Sequence, residues 1–164
     1  RSTDMDADMN MVDRQLAKLG IALPHVPPPV ANYVPFTSHK GVVTISGQLP
    51  RGADGLLTGC LGDGLPIDQG VEAARLCAIA VLAVLKEAVG GDFGRLAGCI
   101  QISGFVRSTS SFEEHSTVIN GASDLLVSVL GEKGRHARAA IGVVSLPFGA
   151  AVEVSAQFQL ADYA

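Results

Sequence analysis

Two charged residues stand inside segments that otherwise read as β-strand. Arg138 opens the run Ala139–Val144, and Glu153 lies between Val152 and Val154. In the second segment Val152, Val154, Ala156 and Phe158 alternate with Glu153, Ser155 and Gln157, which gives one apolar face and one polar face. On a face open to water, Glu153 is a solvated carboxylate. On a face covered by another subunit it is a buried charge, and such a charge must be paired or have a task. The two strands are expected to form a hairpin through Leu146-Pro147-Phe148-Gly149, so Arg138 and Glu153 are expected to meet, as a functional pair or a structural ion pair.

Other chemistries lack their residues. There is no G-x-S-x-G elbow, no Walker loop and no G-x-G-x-x-G after a strand. His25, His39, His115 and His136 show no metal-ligand spacing with one another or with Cys60, Cys77 and Cys99, so no metal and no cofactor is expected. Three cysteines at wide spacing are neither a disulfide framework nor a zinc knuckle. They suit a reducing compartment and read as small buried hydrophobes. The formal charge is -4 without any lysine-rich or arginine-rich run, which argues against a nucleic-acid partner. The longest apolar run, Leu76 to Leu85, is too short for a membrane span, which needs about 20 residues. Arg1 to Asp6 is acidic and polar with no apolar stretch behind it, so no signal peptide and a cytoplasmic location are expected.

The elements that must position these residues follow from periodicity. The length of 164 residues suits one domain with one core, and with few aromatics and no Trp that core must be Ala, Val, Leu and Ile. Residues 1–10 are expected to fray. Met11, Leu16 and Leu19 allow a short helix ending at Gly20, and Pro24, Pro27, Pro28 and Pro29 then enforce an extended connector. Residues 1–30 thus read as an arm, and 31–164 as the domain. Strands are expected at Tyr33–Ser38 and Val42–Gly47, turned at Lys40-Gly41, followed by a Gly-rich loop to Gly64 with a short strand at Leu56-Leu57.

Asp68 is placed to cap a helix whose face holds Val71, Ala74, Ala78, Val81, Leu82, Leu85 and Val89, ended by Gly90-Gly91. A strand at Arg95–Arg107 follows. Next comes a helix from Ser116 with Ile119, Ala122, Leu126 and Val129 on its face, ended by Gly131. The order after the arm is β-β-α-β-α-β-β: an α+β layer, a mixed sheet with two helices on one face. The other face is left bare, and its apolar side chains need a cover that self-association would supply. Thr44-Ile-Ser-Gly47 and Gln101-Ile-Ser-Gly104 are each expected to end a strand and hint at a duplicated half.

The stretch Gly134-Arg-His-Ala-Arg-Ala-Ala-Ile-Gly-Val-Val-Ser-Leu-Pro147, followed by Val152-Glu-Val154, resembles the C-terminal signature of the Rid/YjgF (L-PSP) family of reactive-intermediate deaminases. Ala31-Asn-Tyr-Val34, Ile45-Ser-Gly-Gln48 and Val118-Ile-Asn120 are similar to three further pieces of that pattern, in the same order, so the likeness covers about residues 30–160. The resemblance implies a chorismate-mutase-like fold and a homotrimer with three clefts between subunits. It implies that Arg138 grips the substrate carboxylate, as the planar fork of arginine suits, and that Glu153 activates water. Tyr33, Ser46, Asn120 and Ala140 would line the cleft. The implied partner is a small carboxylate-bearing imine or keto acid, such as 2-aminoacrylate, which water converts to a 2-keto acid and ammonia.

The pattern is not complete. Ala140 stands where deaminases of the family carry cysteine, so a backbone role survives there and a thiol role does not. His136, two residues before Arg138, is expected on the same strand face, as a cleft residue or a contact between subunits. Besides the deaminase, the residues leave open a trimeric binding protein for small carboxylates without turnover. The acidic balance argues against the endoribonuclease activity that also gave the family a name.

Overall fold

The structure is a computed structural model, and it describes residues 10–163. Residues 1–9, most of the stretch expected to fray, lie outside the described residues.

Helix α1 (Met11–Lys18) starts where the Asn10 side chain accepts the Asp13 N–H at 3.0 Å, and it buries Leu16. The main chain of the domain then enters a hairpin, β1 (Phe36–His39) and β2 (Val42–Gln48), with Lys40 and Gly41 both at positive φ in the turn. The Gly-rich segment holds two minimal ladders, β3 (Arg51–Gly52) with β4 (Gly55–Leu56), and β5 (Cys60–Leu61) with β6 (Gly64–Leu65). Helix α2 (Ile67–Ala88) begins earlier than expected: Pro66 holds the cap position, and Asp68 is an acid of the first turn, where it favours the helix dipole. Strand β7 (Leu96–Arg107) and helix α3 (His115–Leu130) follow. The last strands are β8 (Ala137–Val143) and β9 (Val152–Leu160).

The five long strands form one sheet in the order β1-β2-β9-β7-β8. This corrects the expected hairpin of the last two strands. β8 pairs parallel with β7, as a crossover through α3 permits, and β9 runs antiparallel between β2 and β7. The side chains give the reason. On β9, Val152, Val154, Ala156, Phe158 and Leu160 are all buried, which suits a central strand. On β8 the residues of that same face are Arg138, Ala140 and Gly142, too polar or too small to roof a core, and they belong at an edge.

The Ile-Ser-Gly echo has a related correction. Its second copy lies inside β7, which continues to Arg107. Ile45 and Ile102 both stand opposite Ala156, so the two copies flank β9 at one level of the sheet.

Helices α2 and α3 cover one sheet face, and α1 lies outside them, with Gln15 Nε2 donating to the Ser128 carbonyl at 3.2 Å. The bare face is more polar than expected. Its centre carries Thr44, Gln101, Ser103, Ser155 and Gln157, with Gln157 Nε2 donating to Thr44 Oγ1 at 3.3 Å. Apolar groups gather toward β8, where Phe105 stands level with Ile141 on one side and Glu153 on the other. Among the described residues no helix is long and apolar enough to cross a membrane.

The position of α3 depends on close approach. A Cβ at Gly121 would run into the Val71 carbonyl of α2, and one at Gly104 would fall 2.5 Å from Ile119 Cδ1. Gly121→Ala therefore tests two opposed effects. Helix propensity gains about 0.8–1.0 kcal/mol, while overpacking against an immovable carbonyl costs about 1–3 kcal/mol. The clash is expected to win, with Tm lower by about 3–6 °C in thermal denaturation; a rise in Tm would show that the helices can move apart freely.

Candidate functional site

Arg138 lies level with Ile102 and Ala156, so its side chain leaves β8 on the helix-covered face. It reaches α3 and stays there. Nη1 donates to Asn120 Oδ1 at 2.8 Å and to Ser123 Oγ at 3.1 Å, and Nη2 to the Ser116 carbonyl at 3.4 Å. Ser116, Asn120 and Ser123 follow one another at helical spacing and form one polar stripe of α3. All three acceptors are uncharged. They aim the guanidinium without neutralising it.

His136 extends this network. Its Nδ1 is 2.6 Å from the Gly134 carbonyl, which can only accept, so Nδ1 carries the proton. Nε2 lies 2.9 Å from Ser123 Oγ, within hydrogen-bond reach, and Ser123 Oγ accepts from Arg138. His136 thus props a residue that holds Arg138. Ala140, two residues on, shares the Arg138 face and packs half-buried against the core edge.

Glu153 lies level with Phe105, on the other face of the sheet. The expected meeting of Arg138 and Glu153 within one chain therefore fails, because β7 separates their strands and their side chains leave opposite faces. The half-buried Glu153 carboxyl lies against Gly47, where a Cβ would be 2.6 Å from its Oε1. Gly47 sits in the irregular part of the β2–β9 register, between Ile45 and Gln48. Burial raises the Glu153 pKa above the ordinary carboxylate range.

Ser46, beside Gly47, donates from Oγ to the Val34 carbonyl at 2.7 Å and from its N–H to the Pro35 carbonyl at 2.9 Å. That holds the loop that presents Tyr33, which lies outside β1 and is 58% exposed.

The sequence-derived site residues therefore fall into two groups. Arg138, Asn120 and Ala140 form one on the α3 side of the edge strand. Glu153, Ser46 and the Tyr33 loop form another on the β2–β9 side. Sequence reasoning missed Ser123, the Ser116 carbonyl and Gly47. The Ser116, Asn120 and Ser123 stripe was the available signal for the first two, since polar residues three and four apart on an otherwise apolar helix mark a face with a polar neighbour. Cys77 and Cys99 are buried. Burial, and after it the charge of Glu153, pushes the Cys77 thiol well up, and burial pushes Cys99 up to about 12, so both are held as unreactive thiols. Among the described residues no three of His, Cys, Asp and Glu gather as metal ligands would.

The fold has known relatives. The family model described as "YjgF/chorismate_mutase-like, putative endoribonuclease" matches residues 13–157. Protein TCP17 of Trypanosoma cruzi is 46% identical over 151 residues, covering 91% of this chain and 94% of that protein. The crystal structure of Atu1372 from Agrobacterium tumefaciens, described as of unknown function, is 43% identical, covers 92% of this chain and 94% of its own, and superposes with a TM-score of 0.84. A "putative endoribonuclease" of Shewanella oneidensis is 31% identical, covers 92% of this chain and 100% of its own, and has a TM-score of 0.87. The chain belongs to the YjgF/chorismate-mutase-like family, with the α+β fold that its strand order and helix layer display.

Proposed function

We propose that this chain is a cytoplasmic hydrolase that converts reactive enamine and imine intermediates of the 2-aminoacrylate type to 2-keto acids and ammonia, at clefts between the subunits of a homotrimer. The observation that carries the reading is the Arg138 guanidinium, held in place by uncharged oxygens of α3 with its charge unspent. A substrate carboxylate is the natural complement of such a fork. Glu153 lies on the opposite sheet face of the same chain, and in this reading the complete site takes Arg138 from one subunit and Glu153 from the next.

The chemistry needs no cofactor. The carboxylate on Arg138 fixes the imine carbon in place. Glu153 accepts a proton from water as its oxygen bonds to that carbon. Glu153 returns that proton to the nitrogen to give a carbinolamine, then relays the proton of the new hydroxyl to the nitrogen as the C=O bond forms and the C–N bond breaks, so ammonia leaves a 2-keto acid and the carboxylate is restored. Ala140, in place of the cysteine of well-known deaminases, favours a second reading: a trimeric binder of small carboxylates that does not turn them over. The endoribonuclease activity in the name of the Shewanella protein fits poorly with a net charge of -4 and no basic cluster.

Three measurements test the proposal. With imines generated in place by an amino-acid oxidase, Arg138→Ala is expected to lower kcat/KM by about 10- to 100-fold, the loss of charge-assisted hydrogen bonds to a carboxylate. Glu153→Gln should lower it by about 10²–10⁴-fold. Unchanged ammonia release in either variant would remove that residue from the site.

The second measurement mixes the two inactive variants by unfolding and refolding them together. A site built across subunits should recover in about a quarter of the clefts after random 1:1 assembly of a cyclic trimer, since each needs a native Arg138 from one neighbour and a native Glu153 from the other. Failure to recover any activity would overturn the shared cleft.

The third is pH dependence. Glu153 works deprotonated, and burial raises its pKa. Activity should therefore be full at high pH and fall as pH drops through that raised value, with an acid limb of kcat/KM above the ordinary glutamate pKa of about 4.3. An acid limb at or below the ordinary value would assign the base elsewhere.

A further inference from the structure

The row of β8 side chains that begins with Arg138 continues as Ala140 and Gly142. The first supplies a guanidinium, the second a methyl group, the third nothing. The space beside Gly142 is taken instead by two polar atoms. A Cβ built there would lie 2.5 Å from His115 Nε2 and 2.7 Å from Ser108 Oγ. Ser108 follows the end of β7, and His115 is the first residue of α3. Their side chains are 3.3 Å apart, within hydrogen-bond reach. The Phe112 ring meets the imidazole edge-on, with centroids 5.2 Å apart and planes at 89°, which fixes its orientation.

We infer that Ser108 and His115 form a second recognition point at the far end of the β8 row that Arg138 begins, one that selects 2-imino and 2-oxo acids whose side chain ends in an uncharged hydrogen-bonding group over those that end in alkyl. The inference rests on the reading of Arg138 as carboxylate anchor. Arg138 and Gly142 are about 13 Å apart along the strand at Cα. The arginine side chain shortens that gap, because its Nη2 contacts the carbonyl of Ser116, the residue next to His115. A ligand with its carboxylate on the guanidinium and its chain across the Ala140 methyl would bring its distal atoms to the pair.

Whichever of the two atoms donates to the other, the hydroxyl retains either a proton or lone pairs for a ligand. An alkyl end would strip water from these atoms and give nothing back, whereas a hydroxyl or carboxamide replaces what it displaces. Glu113 and Glu114, both exposed, immediately precede His115 and disfavour a second carboxylate at that end. Both residues act here on specificity and touch no reacting atom.

The test compares two probes of nearly equal shape, 2-oxopentanoate and 4-hydroxy-2-oxobutanoate, by calorimetric titration of the intact protein. The hydroxylated probe is expected to bind about fivefold or more tightly. His115→Ala and Ser108→Ala should each abolish that preference, by weakening the hydroxylated probe and relieving the penalty on the alkyl one, while Arg138→Ala weakens both probes. Ser108→Ala guards against a variant in which loss of the imidazole loosens the start of α3. Equal affinity of the two probes for the unaltered protein would overturn the second recognition point and leave the Arg138 anchor standing. So would a preference that survives both substitutions, or an equal weakening of both probes in both variants. Failure of the unaltered protein to bind either probe would overturn the anchor, and this inference with it.

Discussion

A guanidinium fixed by neutral oxygens is the constraint around which the structure is arranged. Had a carboxylate held Arg138, its charge would be spent within the chain. Instead an amide oxygen, a hydroxyl and a backbone carbonyl of α3 orient it. The arrangement depends on α3 being close and in register. Close packing of Gly121 on the Val71 carbonyl and of Ile119 on Gly104 sets that distance. It also depends on β8 being an edge strand, since Arg138 could not leave the core face of a central strand without burying a charge among apolar groups.

The place of β9 decides the rest. Inserted between β2 and β7, it brings Glu153 to the face away from Arg138 and two strands over. The carboxylate therefore has no cation from Arg138 in its own chain, and burial alone governs its pKa. Each protomer then offers a cationic half on one side and an acidic half on the other. In the proposed cleft these halves complement each other between neighbours, so closing a ring of subunits and completing the site become one event. Val144 and Phe148, 92% and 80% accessible, lie exposed in the segment after β8.

Local patterns in the sequence reported local structure well. The three-and-four spacing from Val71 to Val89 is α2, and the strict alternation from Val152 is β9. The resemblance to the YjgF family, read from short pieces around Ser46, Asn120, Arg138 and Glu153, identified the fold. What stayed hidden was neighbourhood. Which strand lies beside which is set by pairing between distant segments, and a short Leu-Pro-Phe-Gly link is equally compatible with a hairpin and with a step across the end of β7. A clue was nonetheless present. Arg138, Ala140 and Gly142 form a row that cannot roof a core, and β9 carries an unbroken apolar face. Together they argue for an edge and a centre. The same reasoning would have separated Arg138 from Glu153. The Asn120 contact was hidden for a different reason: an exposed helix amide reveals its partner only once the strand beneath it is known.

The thiols sharpen the chemical picture. A cysteine at the Ala140 position would lie beside the guanidinium, where a nearby positive charge favours thiolate. The chain has alanine there, and its buried cysteines are held protonated, Cys77 partly through the charge of Glu153 itself. The Ala140 position thus supplies no sulfur nucleophile beside Arg138. The proposed cleft would then combine a positioned cation, a carboxylate of raised pKa, and water. For an imine that is already electrophilic, that set is sufficient, because the difficult part of the reaction is orientation and proton delivery, and formation of a covalent intermediate is not required. It would be insufficient for an unactivated amide or a phosphodiester, which need a strong nucleophile or a stabilised leaving group. Those groups confine the proposed chemistry to substrates that arrive activated.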